Sequence, residues 1–334
     1  MLQLARCSHA AFPISIYYAF KQSEVQDRDS ITNTGWDTFL ASLIAAGFSI
    51  SGTWPMRTEL SNRTIGMNTN ALASSIVLVC NKRPDTAPVA TRREFLAALK
   101  AELPRALEDL QAGNIAPVDL AQAAIGPGMA VFTRYSKILD AQGTPMSVRE
   151  ALALINQTLD EALAEQEGDF DADSRWALVW FEQHGFSEGE FGEADVLARA
   201  KNTSVSGLVD AGILVSSRGK VRLLKPDELP ADWDPTTDTR LPSWEVVHHL
   251  IRVLGKGGEP AAASLMTVLG SKADAARELC YRLYSICERK KRASEALLYN
   301  GLVQSWPEVA LQSRREASKA AASSDGTLFG LMEG

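Results

Sequence analysis

The chain has no C-x-x-C pair: its four cysteines are Cys7, Cys80, Cys280 and Cys287, and it has only four histidines. That scarcity argues against a zinc ribbon or a disulfide framework and makes a reducing, cytoplasmic setting the expectation. No run of about 18 uninterrupted apolar residues occurs, so no membrane span is expected. Residues 1–20 are mildly apolar, but Pro13 and Lys21 interrupt them and no cleavage site follows, which disfavours a signal peptide. An excess of positive charge is missing too. Lys and Arg number 34 against 41 Asp and Glu, a net charge of −7, so a nucleic-acid partner would need a local basic patch. There is no G-x-x-x-x-G-K-[ST], G-x-G-x-x-G, G-x-S-x-G or H-E-x-x-H. Gly126-Pro127-Gly128 is no more than a G-x-G outside a strand-to-helix junction, and it reads as a tight turn. His248 and His249 are neighbours on a helix and point about 100° apart, so they do not share a metal easily and read as structural. No catalytic, cofactor-binding or metal residue is assigned.

What is present is ordinary globular composition: 334 residues, 46% apolar and 22% charged, room for two or three domains. Phe12–Phe20, Phe48–Trp54 and Ser74–Cys80 read as strands, with Pro55 ending the second. Between the first two, Trp36, Phe39, Leu40, Leu43 and Ile44 recur at helical spacing up to Gly47. Asn62–Asn70 is a loop. Beyond Pro84 the chain turns helical. Thr91 and Glu94 form a capping box ahead of a helix to Leu110, with Pro104 a potential kink. Further helices cover Pro117–Ala124, Ser147 to about Glu167, and Ser174–His184 with an aromatic face of Trp176, Trp180 and Phe181. Ala194–Ala200 and Thr203–Ala211 are helices followed by short strands at Ile213–Val215 and Val221–Leu224, the layout of a winged helix. Pro226–Pro242 is a linker or long loop. Trp244–Leu254, Ala261–Leu269 and Asp274–Val303 are helices, and the tail from about Ser313 is expected to be frayed. The fold class is therefore α+β and mostly helical: a partial sheet in 1–85, a helical region in 86–186, a winged-helix-like insert at 187–225, a second helical region in 226–312 and a flexible tail at 313–334.

Two places offer cations to DNA. The second helix of the insert carries Asp210 and no Lys or Arg, leaving Asn202 as its single base-reading candidate. The hairpin behind it carries Arg218, Lys220 and Arg222, suited to phosphate. Packing or protein contact is the alternative role for this module. Arg289, Lys290, Lys291 and Arg292 lie inside the expected Asp274–Val303 helix. Four consecutive residues span a helix circumference, so a solvated face competes with phosphate contact.

Strand, helix, strand, loop and a returning antiparallel strand is how the sheet of a class I S-adenosylmethionine-dependent methyltransferase ends. The segments at 14–22 (ISIYYAFKQ), 47–59 (GFSISGTWPMRTE) and 73–83 (ASSIVLVCNKR) resemble the adenine-specific DNA methylase family that carries a domain of unknown function at its N-terminus. The resemblance continues through 134–137, 156–161, 169–176, 287–290, 299–300 and 305–308, nearly the whole chain. It implies a partial class I methyltransferase sheet and an enzyme of DNA-modification or anti-phage loci. Such an enzyme flips an adenine out of the duplex and methylates N6 from S-adenosylmethionine. The family's Gly-rich cofactor motif and its Asp-Pro-Pro-Tyr are absent. The only Asp-Pro is Asp234-Pro235, followed by Thr236. The expectation is thus a C-terminal part of a longer methylase, beginning just before the fifth strand. It would be inactive and free of cofactor alone, with DNA as one partner and a polypeptide carrying the N-terminal half as another. Its first strand would have the returning strand on one side and the absent half on the other. Arg57, Glu59, Asn62 and Arg63 become candidates for contacts near the target base. The rival expectation is a non-enzymatic winged-helix adaptor in a defence complex.

Overall fold

Of three early segments, 48–54 alternates as a half-buried strand does, while 14–19 and 75–80 are runs rich in β-branched or aromatic residues. In the computed structural model, which describes residues 1–19, 34–56 and 75–329, a short helix α1 (Leu2–Cys7) precedes them. They become β1 (Ile14–Ala19), β2 (Phe48–Met56) and β3 (Ser75–Lys82), with α2 (Thr34–Ala45) between the first two. The order is β1-β3-β2, and β3 runs antiparallel to both neighbours, so β1 and β2 are parallel. One face sets Ile16, Leu78 and Thr53 in a row beside Tyr18, Ile76 and Pro55. Trp36, Leu40 and Leu43 of α2 are buried, and the Trp36 and Phe39 rings lie 5.0 and 4.7 Å from that of Tyr18. On the other face Tyr17 and Trp54, both opposite Val77, remain exposed. Pro55 does not end β2. It pairs with Ile76 inside the strand, which an edge position tolerates because the ladder needs no N–H there.

After β4 (Val89–Thr91) come α3 (Arg92–Ala112), α4 (Pro117–Thr133), β5 (Lys137–Leu139), parallel to β4, and α5 (Val148–Glu165). Thr91 caps α3 as its sequence implies: Glu94 N–H donates to Oγ1 at 3.2 Å, and Thr91 N–H donates to the Glu94 carboxylate at 2.7 Å. Ser147 and Glu150 repeat the device at α5, at 3.3 and 2.8 Å.

Gly126-Pro127-Gly128 is not a turn. It lies in the interior of α4, which runs unbroken from Pro117 to Thr133. Pro127 has no N–H for the carbonyl of Ala123, and the Thr53 hydroxyl donates to that carbonyl instead, at 3.0 Å. The glycines serve close approach. A Cβ on Gly126 would come within 2.7 Å of Thr53 Oγ1, and one on Gly128 within 2.6 Å of Ile155 Cγ1. At the helix end the Ile50 N–H donates to Thr133 Oγ1 at 2.9 Å, and that hydroxyl donates to Met129 O at 2.7 Å. α4 thereby covers β2 and satisfies its outward backbone. Gly126→Ala is expected to destabilise the protein by about 1–3 kcal/mol, the usual cost of overpacking, read as a lower urea midpoint.

The chain divides into two compact units, residues 1–164 and 165–334. The second begins with α6 (Ala172–His184), whose N-cap Asp171 accepts from Ser174 N at 2.8 Å. It continues through β6 (Gly189–Glu190), α7 (Phe191–Ala200), α8 (Val205–Asp210), β7 (Leu214–Ser217) and β8 (Lys220–Leu223), in an antiparallel sheet of order β6-β8-β7. α9 (Ser243–Leu269) is broken at Gly258, where φ is 69°, so its two halves match the two helices read from sequence. α10 (Lys272–Arg289) and α11 (Ala293–Phe329) pack with α9 around Trp176, Trp180, Phe181, Trp244, Tyr281 and Tyr299.

Two expectations are corrected in this unit and one open alternative is decided. Asp274–Val303 is two helices, separated at 290–292 by Lys291 with φ 57°. A lysine in that left-handed region hides a break that glycine would have announced. The tail is helical beyond Ser313, whose hydroxyl lies 2.9 Å from that of Thr267. Pro226–Pro242 is a fixed loop and no linker: Leu229 is buried, and Arg240 grips Asp173 through two bonds of 2.7 Å. The class is α+β and mostly helical. No helix among the described residues is long and apolar enough to cross a membrane.

Candidate nucleic-acid interface

The hairpin turns at Arg218 and Gly219, with φ 51° and 75°, the two left-handed residues that a tight two-residue turn requires. Arg218 therefore stands exposed at the tip. In β8, Val221 and Leu223 point inward, which sends Lys220 and Arg222 outward. Neither outward cation is bare. Lys220 pairs with Glu190 of β6, and Arg222 forks onto Glu228 at 2.6 and 2.8 Å. The hydrogen bond from Arg222 is the main influence holding the Glu228 carboxyl below its usual range. Two of the three hairpin cations thus carry their own counterions, and a phosphate would have to compete with a carboxylate for each.

α8 gives base edges little to meet. Ser204 caps it, accepting from Gly207 N at 3.1 Å, while Val205, Gly207 and Leu208 are buried. Ser206, Val209 and Asp210 face outward and carry no cation. Asn202 sits just before it with φ 60°.

The basic run at 289–292 lies at the α10–α11 junction. Arg289 pairs with Glu182 at 3.0 Å. The Arg292 guanidinium lies 5.1 Å from the Phe181 ring centre and donates to the carbonyls of Phe181 and Glu182. Those carbonyls belong to the last turn of α6, where that of Phe181 also accepts from the Gly185 N–H at 2.8 Å. Arg292 is a helix cap, while Arg289, Lys290 and Lys291 are exposed. Arg57, Glu59, Asn62 and Arg63 lie outside the described residues.

The glutamates that neutralise the hairpin were not read from sequence. β6 is only two residues long, too short to show a period, and Glu228 follows Arg222 across the end of a strand. No group of three or more potential metal ligands occurs among the described residues. His248 is structural, as its sequence context implies: its Nδ1 lies 2.7 Å from Trp244 O and its Nε2 3.2 Å from the Tyr299 hydroxyl.

Residues 171–328 match the family model described as Domain of unknown function (DUF8807). The match opens at the N-cap of α6 and closes one residue before the end of α11. It therefore takes in the aromatic helix, the hairpin and the three long helices of the second unit. No curated protein and no solved structure matches the chain.

Proposed function

We propose that the chain is the C-terminal, DNA-contacting part of an S-adenosylmethionine-dependent DNA adenine-N6 methyltransferase of a DNA-modification or anti-phage system. The observation that carries the reading is the strand order β1-β3-β2, with parallel β1 and β2 joined through α2 and β3 returning antiparallel between them. That is the closing arrangement of a class I methyltransferase sheet, on the same segments whose wording resembles the adenine methylases. On its other side β1 has no partner strand among the described residues, the side on which the rest of such a sheet would add. The β6-α7-α8-β7-β8 sequence with order β6-β8-β7 supports a winged-helix reading of 187–225.

The residues present do not fit the cofactor. The Gly-rich motif and Asp-Pro-Pro-Tyr are absent, and Gly126-x-Gly128 is filled by Thr53 and Ile155. In this proposal both motifs belong to another polypeptide segment, and this chain completes the sheet and contacts the duplex.

Salt-dependent binding to duplex DNA is the test. Each phosphate neutralised adds about 0.9 to the slope of log affinity against log salt. Arg218→Ala and Lys290→Ala should each lower that slope by about 1. Arg222→Ala should lower it less, because Glu228 already competes for that guanidinium. The second reading, a non-enzymatic adaptor that contacts protein, is favoured by the pairing of Lys220 and Arg222 with glutamates and by exposed Val196, Val209 and Val215. Negligible affinity even at low salt would select it.

A further inference from the structure

Two polar atoms on one face of α9 are buried without a hydrogen-bond partner, Glu245 Oε2 and His249 Nε2. Their side chains are only 3% and 2% exposed, and Glu245 Oε1 lies 3.9 Å from His249 Nε2, one helical turn away. Trp233 closes over them. Its indole stacks on the His249 ring at 3.9 Å between centroids and 11° between planes, and its N–H donates to Asp238 at 3.0 Å. Behind Glu245 stands the α8–β7 corner, where a Cβ on Gly212 would come within 2.9 Å of Glu245 Oε1. The loop that carries Trp233 ends on Arg240, which holds Asp173 at the start of α6 and Thr203 ahead of α8.

We propose that Glu245 and His249 form a protonation-controlled latch. While Glu245 keeps its proton, the 229–242 loop stays closed over α9 and Arg240 steadies the entry to α8. Loss of that proton releases the loop. The inference goes beyond the function proposed above and holds whether the module contacts DNA or protein.

The groups that face the pair set the direction. Burial first, and then the neighbouring Asp238 charge, push Glu245 up to about 8, opposed by the Trp233 N–H. Burial, then Arg252 and His248, push His249 down to about 4, opposed by Asp238. From α6, Asp171 is taken up by Ser243 N–H and Asp173 by Arg240. From α11, Tyr299 is taken up by His248, and Glu228 of the turn before the loop is taken up by Arg222. At the α8–β7 corner Gly212 carries no charge, and Asp210 at the end of α8 acts on Arg240. Near neutrality both members of the pair are therefore uncharged, which is how a dry site tolerates them. Above about pH 8 the folded state must hold a buried carboxylate beside Asp238.

Trypsin cleavage of the full chain after Arg240 reads the latch. Rates are measured from pH 6.5 to 9.5 and normalised to a peptide of the loop sequence. Protection should fall about tenfold per pH unit from pH 6.5 to about pH 8, where the closed loop holds a proton that the open loop does not, and level off above about pH 8. In Glu245→Gln the profile should be flat, while cleavage after Lys100 in the first unit stays unchanged. Trp233→Phe keeps a ring on His249 but removes the N–H that favours the carboxylate, so its break should move to higher pH. It decides the matter if the Gln variant does not fold. A pH-independent profile in the unaltered chain would overturn the latch, as would an unchanged profile in Glu245→Gln or an unshifted break in Trp233→Phe.

Discussion

Purified chain incubated with labelled S-adenosylmethionine and duplex DNA should leave no methylated adenine above background. Adding a polypeptide that carries the Gly-rich motif and Asp-Pro-Pro-Tyr should raise it by orders of magnitude. Transfer requires donor and acceptor held in near-attack geometry, an arrangement worth about 7–11 kcal/mol of barrier. It also requires polar groups fixed around the target nitrogen as its charge changes. Neither requirement is met here, since both motifs are missing and the glycine pair at 126 and 128 is packed against Thr53 and Ile155. The added polypeptide would join at β1, whose Tyr17 face is exposed and whose second edge has no strand among the described residues. Tyr17→Pro should therefore abolish the restored transfer, because proline removes a backbone donor and resists strand pairing. Mass spectrometry of the digested DNA reads both outcomes. Methylation by the chain alone would sink the methyltransferase-fragment proposal as stated.

Acidification should cost the second unit about 3 kcal/mol between pH 6.5 and 4. The His248 Nδ1 faces the Trp244 carbonyl, which can only accept, so that nitrogen carries the hydrogen and Nε2 accepts from the Tyr299 hydroxyl. Burial pushes this imidazole down to about 4, against a smaller pull from the Trp244 carbonyl, and His249 reaches about 4 as well. Below pH 6.5 the unfolded chain binds these protons and the folded chain does not. Stability then falls as pH falls, and the loss is complete only below the folded values. Each imidazole contributes on the order of 3 kcal/mol at that limit, and Glu245, which the folded chain keeps protonated up to about pH 8, offsets a similar amount in the opposite direction. Urea midpoints at pH 7, 5.5 and 4.5 measure the slope. His248→Phe should flatten most of it, because the raised Glu245 carboxyl offsets His249, while costing about 1–3 kcal/mol at neutral pH because the buried Tyr299 hydroxyl loses its acceptor. An equal slope in the variant would show that His248 is not the titrating group.

How legible these features are in sequence depends on how far their causes reach. The capping box at Thr91 was readable because donor and acceptor lie three residues apart, and Ser147 marked the start of α5. The second strand was readable from its period, the first and third from their runs of β-branched or aromatic residues. The interior of α4 was not, since Pro127 survives in a helix only through a hydroxyl supplied by a different strand. The break at Lys291 was equally hidden, because apolar spacing persists on both sides and no glycine or proline marks it. The same limit governs the candidate interface. The sequence shows which cations exist, but their availability depends on Glu190, Glu228 and Glu182, which arrive from other elements.

The Thr53 hydroxyl and the Pro127 ring have a bearing on how this sequence can change over generations. An ordinary residue at 127 would bring an N–H and claim the Ala123 carbonyl, leaving Thr53 to compete for it. A valine at 53 with proline retained would strand that carbonyl in a buried position. Either change alone is a step down, whereas the pair exchanged together keeps every group satisfied. The two positions should therefore drift as a couple, and a distant relative with a different residue at 127 should also have been released from threonine at 53.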